Sequence, residues 1–210
     1  MIIEQINEAV QKGKAKDAKE LVVKAIADGI APKKILEEGL LSAMSVVGGK
    51  FKNNEIFVPE VLISARAMNM AVAELKPHLI KAGVKPIGKA VLCTVKGDLH
   101  DIGKNLVRMM LEGAGLEVLD LGVDVSAEKV VEAVKESGAK VVCLSTLLTT
   151  TMMAQKDVIE ALKAAGLRNK VKIMVGGAPV TTEFAKSIGA DAYTPDAASA
   201  AEVAKAYFVA

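Results

Sequence analysis

An imidazole flanked by two carboxylates is the group in this sequence best suited to chemistry. The stretch KGDLHDIGKN begins at Lys96 and contains Asp98, His100 and Asp101. An apolar run precedes the stretch and a helical pattern follows it, so we predict a loop between a strand and a helix. In open α/β sheets, loops at the carboxyl ends of the strands bind the ligand. The sequence has one other histidine, His78.

The spacing Asp98-x-His100 suggests a metal-binding histidine supported by a carboxylate. Such a histidine usually donates its second ring N–H to a carboxylate, which fixes the tautomer. Zinc needs three or four protein ligands, and a single histidine without a CxxC pattern cannot supply them. A site with one histidine is reasonable only if another group, such as a macrocycle, supplies the remaining ligands. The alternative is structural: local hydrogen bonding by His100, a turn at Asp98 and a helix cap at Asp101.

A phosphate-binding loop is a weaker interpretation of the same stretch. The Walker motif has four residues between its glycines and a Ser or Thr after the lysine. Here five residues separate Gly97 from Gly103, and Asn105 follows Lys104. The dinucleotide-binding pattern GxGxxG is absent.

The composition indicates a cytoplasmic protein with an aliphatic core. The 210 residues are 51% hydrophobic and 3% aromatic, with a net charge of +2. There is no basic stripe interleaved with aromatic residues, so we expect no nucleic-acid partner. No segment reads as a signal peptide or approaches the roughly 18 apolar residues of a membrane span. Cys93 and Cys143 lie in apolar runs and are expected to be buried free thiols rather than a disulfide or a metal pair.

Apolar residues recur at helical spacing through residues 1–85, which predicts a bundle of four antiparallel helices. Gly48 and Gly49 are expected to end the third helix, and Pro77 to kink or shorten the fourth. A linker is expected at 83–88.

Beyond this linker, apolar runs of strand length alternate with amphipathic helices, which predicts a parallel sheet covered on both faces. The overall expectation is an α + α/β fold, a four-helix bundle in domain 1–85 followed by a flavodoxin- or Rossmann-like doubly wound sheet in domain 86–210. The strands are predicted at 89–95, 116–121, 140–145, 171–175 and, weakly, 190–193. The helices are predicted near 104–114, 126–137, 152–165, 181–188 and 196–208.

Three motifs at successive strand ends resemble the cobalamin-binding motif of corrinoid proteins. They are DxHxxG from Asp98 to Gly103, SxL from Ser145 to Leu147, and a glycine pair at 176–177. The helical half is similar to the cap module that precedes the cobalamin domain in methionine synthase and in small corrinoid methyl carriers. That similarity lies in MSVVG at 44–48, in FVPEV at 57–61 and in SARAM at 64–68. The resemblance covers nearly the whole chain.

The resemblance implies cobalamin or a related corrinoid as cofactor, cycling between methylcob(III)alamin and cob(I)alamin. His100 would be the lower axial ligand of cobalt in place of the cofactor's own base, and Asp98 would accept the second imidazole N–H. Thr151 would continue this hydrogen-bond chain at a position where the family has a hydroxyl residue; here it is Thr rather than Ser. These three residues are the candidate catalytic set.

The resemblance also implies cofactor-binding residues on both halves. Ser145, Leu147, Thr149, Gly176 and Gly177 would line a slot for the cofactor's nucleotide tail. Phe51 and Val58 would shield the methyl group, Val58 standing where the family often has the larger Leu. Bundle core, helix capping and ordinary turns are the structural alternatives for these positions. The remaining candidate cofactor contacts lie in the loop itself: Gly97, Asp98, Leu99, His100, Asp101, Ile102 and Gly103.

The function implied is a co-catalytic carrier that moves a methyl group between two methyltransferases. One partner would be specific for methanol, a methylamine, betaine or an aromatic methyl ether, and the other would use tetrahydrofolate or a thiol as acceptor. A reductive activase is a further possible partner. An adenosylcobalamin-binding mutase subunit is the alternative, although mutase subunits usually lack the helical cap. A cofactor-free signalling module would explain the sheet but not the three ordered motifs. A cobalamin-sensing transcription regulator is a further possibility, but the two predicted domains leave no segment for DNA binding.

Overall fold

A computed structural model of the chain describes residues 1–209. The chain divides into two compact units. One comprises Met1–Pro86 with Gly113–Gly115, and the other comprises Ile87–Glu112 with Leu116–Ala210. No helix of the described chain is both long and apolar enough to cross a membrane.

The N-terminal unit is helical, as predicted. Its helices are α1 (Ile2–Gln11), α2 (Ala15–Ala27), α3 and α4 (Val58–Lys81). Helix α3 runs without a break through an α-helical turn at Pro32–Lys34, a π-helical stretch at Ile35–Leu41 and an α-helix at Ser42–Lys52. The apolar faces meet in a core that includes Ile6, Val22, Leu40, Val61 and Leu75.

One predicted helix break in this unit is wrong, since α3 continues through Gly48 and Gly49 to Lys52. Pro77 was expected to kink or shorten the fourth helix; α4 continues past it to Lys81, so Pro77 does not end the helix. A glycine costs a helix about 1 kcal/mol, which burial can offset, and Gly48 lies in the buried face of α3. Beyond Pro77, Leu79 keeps the last turn of α4 packed, since it is only 9% exposed.

The C-terminal unit is a five-stranded, all-parallel sheet with helices between its strands, as predicted. The strands are β1 (Gly88–Thr94), β2 (Leu116–Asp120), β3 (Val141–Ser145), β4 (Lys172–Gly176) and β5 (Ala192–Tyr193). The helices are α5 (Ile102–Gly113), α6 (Ala127–Ser137), α7 (Met153–Ala164), α8 (Thr182–Ile188) and α9 (Ala197–Val209). The spatial order is β2-β1-β3-β4-β5, the flavodoxin-like arrangement.

Local signals fix the ends of α6 and α8. Helix α6 starts at Ser126, whose Oγ accepts a hydrogen bond from Lys129 N, and ends at Gly138 with φ of 66°. Helix α8 starts at Thr181, whose hydroxyl accepts from Phe184 N, and ends at Gly189 with φ of 80°. Both follow the rule that a hydroxyl caps the start of a helix and a left-handed glycine ends it.

The core of this unit is formed by the near-continuous apolar strands. Val91, Val142 and Ile173 of the three central strands are fully buried. Cys93 and Cys143 are buried and free, as predicted. Burial raises the pKa of both thiols to about 12, so neither is a ready nucleophile at neutral pH.

Candidate functional site

The strand order places two loops side by side at the carboxyl edge of the sheet. Strand β1 lies between β2 and β3, so the order of strands reverses there. The loop after β1 carries Asp98 and His100, and the loop after β3 runs from Thr146 to Thr151. The register aligns Thr94 with Ser145, and Ser145 with Gly176. Ligands of doubly wound sheets bind in the crevice at this reversal point.

His100 and Asp98 form a direct pair. The imidazole Nδ1 lies 2.8 Å from Asp98 Oδ1, and the His100 backbone N–H donates to the same oxygen at 3.0 Å. An ionised carboxylate only accepts, so Nδ1 is the protonated ring nitrogen. The Asp98 side chain is completely buried, whereas that of His100 is 49% exposed. His100 Nε2 has no hydrogen-bond partner among residues 1–209 and remains available as a ligand.

The second oxygen of Asp98 is held by the loop after β3. Oδ2 lies 2.7 Å from Leu147 N and 3.3 Å from Leu148 N. It also lies 3.0 Å from the hydroxyl of Thr146 and 2.9 Å from that of Thr151. The carboxylate therefore ties two loops together.

These donors keep Asp98 ionised despite its burial. Burial is the largest single influence and by itself would raise the pKa of the carboxyl. The backbone N–H groups of His100 and Leu147, with the side chains of His100 and Thr151, outweigh it and hold the pKa of Asp98 well below its usual range. The imidazole thus faces a carboxylate at neutral pH.

The backbone around the pair is fixed by its neighbours. Gly97 has φ of 83°, a left-handed conformation that favours glycine. Its N–H donates to Asp124 Oδ1 at 2.7 Å, and Asp124 N donates back to Asp98 O at 3.0 Å. The buried hydroxyl of Thr94 donates to His100 O at 2.8 Å. The loop is therefore pinned at both ends of the Asp98–His100 segment.

The other loop residues predicted to contact a cofactor are accessible. Leu99 and Ile102, on either side of His100 in the chain, are 71% and 78% exposed. Gly103 has open space where a side chain would stand. Asp101 immediately precedes α5, as a helix cap would, and its carboxylate accepts from Asn105 Nδ2 at 3.0 Å.

The residues predicted to line a tail slot meet at the ends of β3 and β4. In the described chain, the hydroxyls of Ser145 and Thr149 have no hydrogen-bond partner, and Leu147 is 45% exposed. A Cβ on Gly176 would meet nothing nearer than Thr194 O at 3.9 Å, so packing within the chain does not require glycine there. These residues offer two free hydroxyls, one exposed apolar side chain and, at Gly176, space without a side chain.

Packing within the chain requires a glycine at position 177. Its φ is 131°, and a Cβ would stand 1.7 Å from Thr146 O. Thr146 N also donates to Gly176 O at 3.2 Å. The glycine pair therefore clamps the backbone of Thr146, and through the Thr146 hydroxyl it helps to position Asp98.

Sequence reasoning missed three residues of this network: Thr146, Thr94 and Asp124. Thr146 is the first residue after β3 and is only 1% exposed, and Thr94 is fully buried. A hydroxyl run from Ser145 to Thr151 was visible in the sequence, but its pattern did not show which member faces Asp98. Asp124 was visible only as one residue of a strand-end loop.

Phe51 and Val58 belong to the helical unit. Phe51 lies near the end of α3 and Val58 is the first residue of α4. Both are partly exposed, so neither belongs to the fully buried core of the bundle. The adjacent Phe57 is 64% exposed and is a further apolar surface of that unit.

A second carboxylate, Asp120, lies at the end of β2. It is paired with Lys104 Nζ, and Arg108 Nε lies 3.8 Å away. Lys104 also donates to Asn105 Oδ1 at 3.0 Å and is 3% exposed. This pair attaches the start of α5 to the sheet.

The donor set at His100 suits a metal already held by another group. No cluster of three or more His, Cys, Asp or Glu side chains that could hold a metal ion exists within residues 1–209. His100 offers one nitrogen and is backed by a carboxylate, and exposed apolar residues, Leu99 and Ile102, lie on either side of it in the chain. One axial position of a metal in an apolar macrocycle fits these residues.

Comparison with known protein families matches both halves of the chain. One family, described as B12 binding domain, matches residues 88–204. A second family with the same description matches residues 2–76.

Individual relatives match over nearly the full length. The chain is 43% identical to dimethylamine corrinoid protein 3 of Methanosarcina acetivorans, covering 97% of this chain and 95% of that protein. It is also 43% identical to the trimethylamine corrinoid protein of Methanosarcina barkeri, covering 98% and 95%.

Two solved structures are also similar to this chain over nearly its full length. A chain in the methanol:cobalamin methyltransferase complex MtaBC of Methanosarcina barkeri has a TM-score of 0.88 at 34% identity, covering 99% of this chain and 80% of that one. A cobalamin-binding protein of Desulfitobacterium hafniense has a TM-score of 0.81 at 34% identity, covering 98% of each chain.

Proposed function

The chain belongs to the B12-binding corrinoid proteins, and from that premise we propose that it carries a methyl group between two methyltransferases. The observation that carries the proposal is the Asp98–His100 pair, with Nδ1 held at 2.8 Å and Nε2 unpartnered in the described chain. When bound, a corrinoid supplies a cobalt atom that accepts a methyl group and gives it up again.

In this proposal His100 would hold the cobalt in place of the cofactor's own base. Asp98 accepts from Nδ1, so Nε2 carries the lone pair that would bind the metal. The carboxylate also raises the donor strength of the imidazole. Thr151 extends this chain through its 2.9 Å contact with Asp98.

We propose that the loop ends of β3 and β4 hold the cofactor's nucleotide tail. Unpartnered hydroxyls at Ser145 and Thr149 can bind its polar groups, and Leu147 supplies an apolar wall. Gly176 leaves space that a side chain would take, and Gly177 keeps β4 close to Thr146. Leu99 and Ile102 suit the apolar face of a corrin ring because both are exposed beside His100.

Residues 1–85 are proposed to act as the helical cap, with Phe51 and Val58 shielding the reactive face. A dry environment would protect a strongly reducing metal from stray oxidation. Transfer requires that the cobalt be exposed, and we expect residues 83–88 to be the hinge. The match of residues 2–76 to a B12-binding family supports a methyl carrier over an adenosyl-dependent mutase subunit.

The proposed partners are a substrate-specific methyltransferase and an acceptor methyltransferase, with a reductive activase as a third, all in the cytoplasm. Corrinoid proteins named for dimethylamine and for trimethylamine are equally similar to this chain, at 43% identity each. Equal similarity to proteins named for different amines supports a donor choice made by the partner enzyme. The MtaBC complex of Methanosarcina barkeri is an example of a relative with such a partner.

The experiment is electron paramagnetic resonance of the cob(II)alamin-loaded protein, labelled with ¹⁵N at histidine only. A histidine ligand couples through spin-½ ¹⁵N and gives doublet superhyperfine lines, whereas the cofactor's own ¹⁴N base gives triplets. We expect doublets in the wild type and their loss in His100→Ala. His78→Ala is the matched control, since His78 is exposed in the other unit. Triplets in the wild type, or unchanged doublets in His100→Ala, would overturn the assignment.

A further inference from the structure

The loop after β3 presents two hydroxyls to one carboxylate oxygen. Thr146 Oγ1 and Thr151 Oγ1 lie 3.0 and 2.9 Å from Asp98 Oδ2. Only Thr151 corresponds to the hydroxyl position implied by the family resemblance. Thr146 is nevertheless the more buried of the two and lies closer to the sheet.

The number of available protons limits what these hydroxyls can do. Their oxygens are 2.6 Å apart, a hydrogen-bond length, so one proton must lie between them. Each hydroxyl has a single proton to donate. The pair can therefore give Asp98 only one O–H bond at a time, from either Thr146 or Thr151.

The competing acceptor is Leu148 O, 3.0 Å from Thr151 Oγ1 and 3.4 Å from Thr146 Oγ1. A charged acceptor binds a donor about twice as strongly as a neutral one, which favours donation to Asp98. Thr146 is the better anchored partner. Its backbone is bonded to Gly176 O and packed against Gly177, whereas Thr151 lies in the short 3₁₀ turn Thr149–Thr151.

We propose that Thr146 is a second positioning residue for His100. Thr146 and Thr151 share the single hydroxyl hydrogen bond to Asp98, and either residue can supply it alone. The donors on Oδ2 compete with His100 for the charge of the carboxylate. Two backbone N–H groups, of Leu147 and Leu148, still hold Asp98 in place when both hydroxyls are gone. Loss of both therefore strengthens the bond to His100 rather than releasing the carboxylate.

The test compares Thr146→Val, Thr151→Val and the double variant by ¹⁵N–¹H NMR of labelled histidine in the full chain without corrinoid. Each single variant keeps one hydroxyl, so the His100 Nδ1–H resonance should stay near its wild-type position. In the double variant it should move downfield by more than the sum of the two single shifts. Thr150→Val is the control, since Thr150 is an exposed member of the same turn without contact to Asp98.

A double variant whose shift matches that of Thr151→Val would overturn the role of Thr146. A shift in Thr146→Val as large as that in the double variant would overturn the sharing, because Thr151 would then not supply the bond alone. Thr146→Ser with Thr151→Val retains one hydroxyl and should restore the wild-type resonance. Should the double valine variant fail to fold, Thr146→Ala with Thr151→Ala gives the same comparison with smaller side chains.

A second measurement uses the corrinoid-loaded protein and rests on the proposed function. The ratio of His-ligated to unligated cob(II)alamin should rise about threefold in the double variant, less than the roughly 10–100-fold changes that follow loss of a ligand's hydrogen-bond partner. An unchanged ratio in a protein that does ligate through His100 would contradict the proposal. Absence of His100 ligation in the wild type would instead refute the function, while the NMR comparison would still decide the role of Thr146.

Discussion

Asp98 and Asp120 lie at the carboxyl ends of neighbouring strands of the same sheet, yet their carboxylates are stabilised in different ways. Asp98 is completely buried and held by backbone N–H groups, hydroxyls and the ring N–H of His100. Asp120 is 20% exposed and paired with the ammonium of Lys104, with Arg108 nearby. One carboxylate is therefore solvated by neutral dipoles and the other is neutralised by a cation.

The difference explains which carboxylate can serve the site. Neutral donors stabilise the charge of Asp98 without cancelling it, so its field still acts on His100. The charge of Asp120 is compensated by Lys104, and that pair mainly attaches α5 to β2. Substitution of Asp98 should therefore change both the free energy of unfolding and the environment of the His100 ring. Substitution of Asp120 should change the free energy of unfolding alone.

The largest effect is expected for Asp98→Ala. The variant leaves the N–H groups of His100 and Leu147, which donate to the buried carboxylate, without that acceptor, and each such loss costs about 1–3 kcal/mol. We expect the free energy of unfolding to fall by about 3–5 kcal/mol in urea titrations. Asp157→Ala, at an exposed position of α7, is the control and should change it by less than about 0.5 kcal/mol. A loss below about 1 kcal/mol for Asp98→Ala would show that the network is not coupled to folding.

Gly177→Ala should come next. Its Cβ would overlap Thr146 O at a positive φ, and overpacking with backbone strain costs about 3 kcal/mol together. The matched control is Gly122→Ala, whose glycine has φ of 88° but open space around it and donates to Asp120. We expect about 1 kcal/mol there from strain alone. In thermal unfolding monitored by circular dichroism, equal losses in the two variants would exclude the proposed clamp on Thr146.

A smaller effect is expected for Asp120→Asn. It removes the counter-charge of the 3% exposed Lys104, and a hydrogen bond between charged groups is worth about 2 kcal/mol. Lys104→Met in the same chain should recover most of that loss, because no buried charge remains unpaired. Both variants should leave the His100 doublets of the loaded protein unchanged. Altered doublets would mean that Asp120 also acts on the site.

Local sequence signals predicted most of the fold because strands and helices here follow hydrophobic periodicity. The four clear strands lie within one or two residues of their predicted ends, and the weak fifth at 190–193 is observed as Ala192–Tyr193. The wrong break at Gly48–Gly49 is a position where packing of a buried face outweighs the local propensity to end a helix.

In the site, too, some contacts follow from the local sequence and others only from tertiary packing. The contact between Asp98 and His100 spans two residues, so the order of the sequence alone placed a carboxylate beside the imidazole. The hydroxyls of Thr146 and Thr151 are 48 and 53 residues away from Asp98 in the chain. Only the pairing of β1 with β3, and the approach of Gly177 to Thr146, brings them there. The sequence by itself determined that a carboxylate stands beside an imidazole in one loop. The tertiary structure decided how many donors share that carboxylate, because strand order sets contacts that local spacing cannot encode.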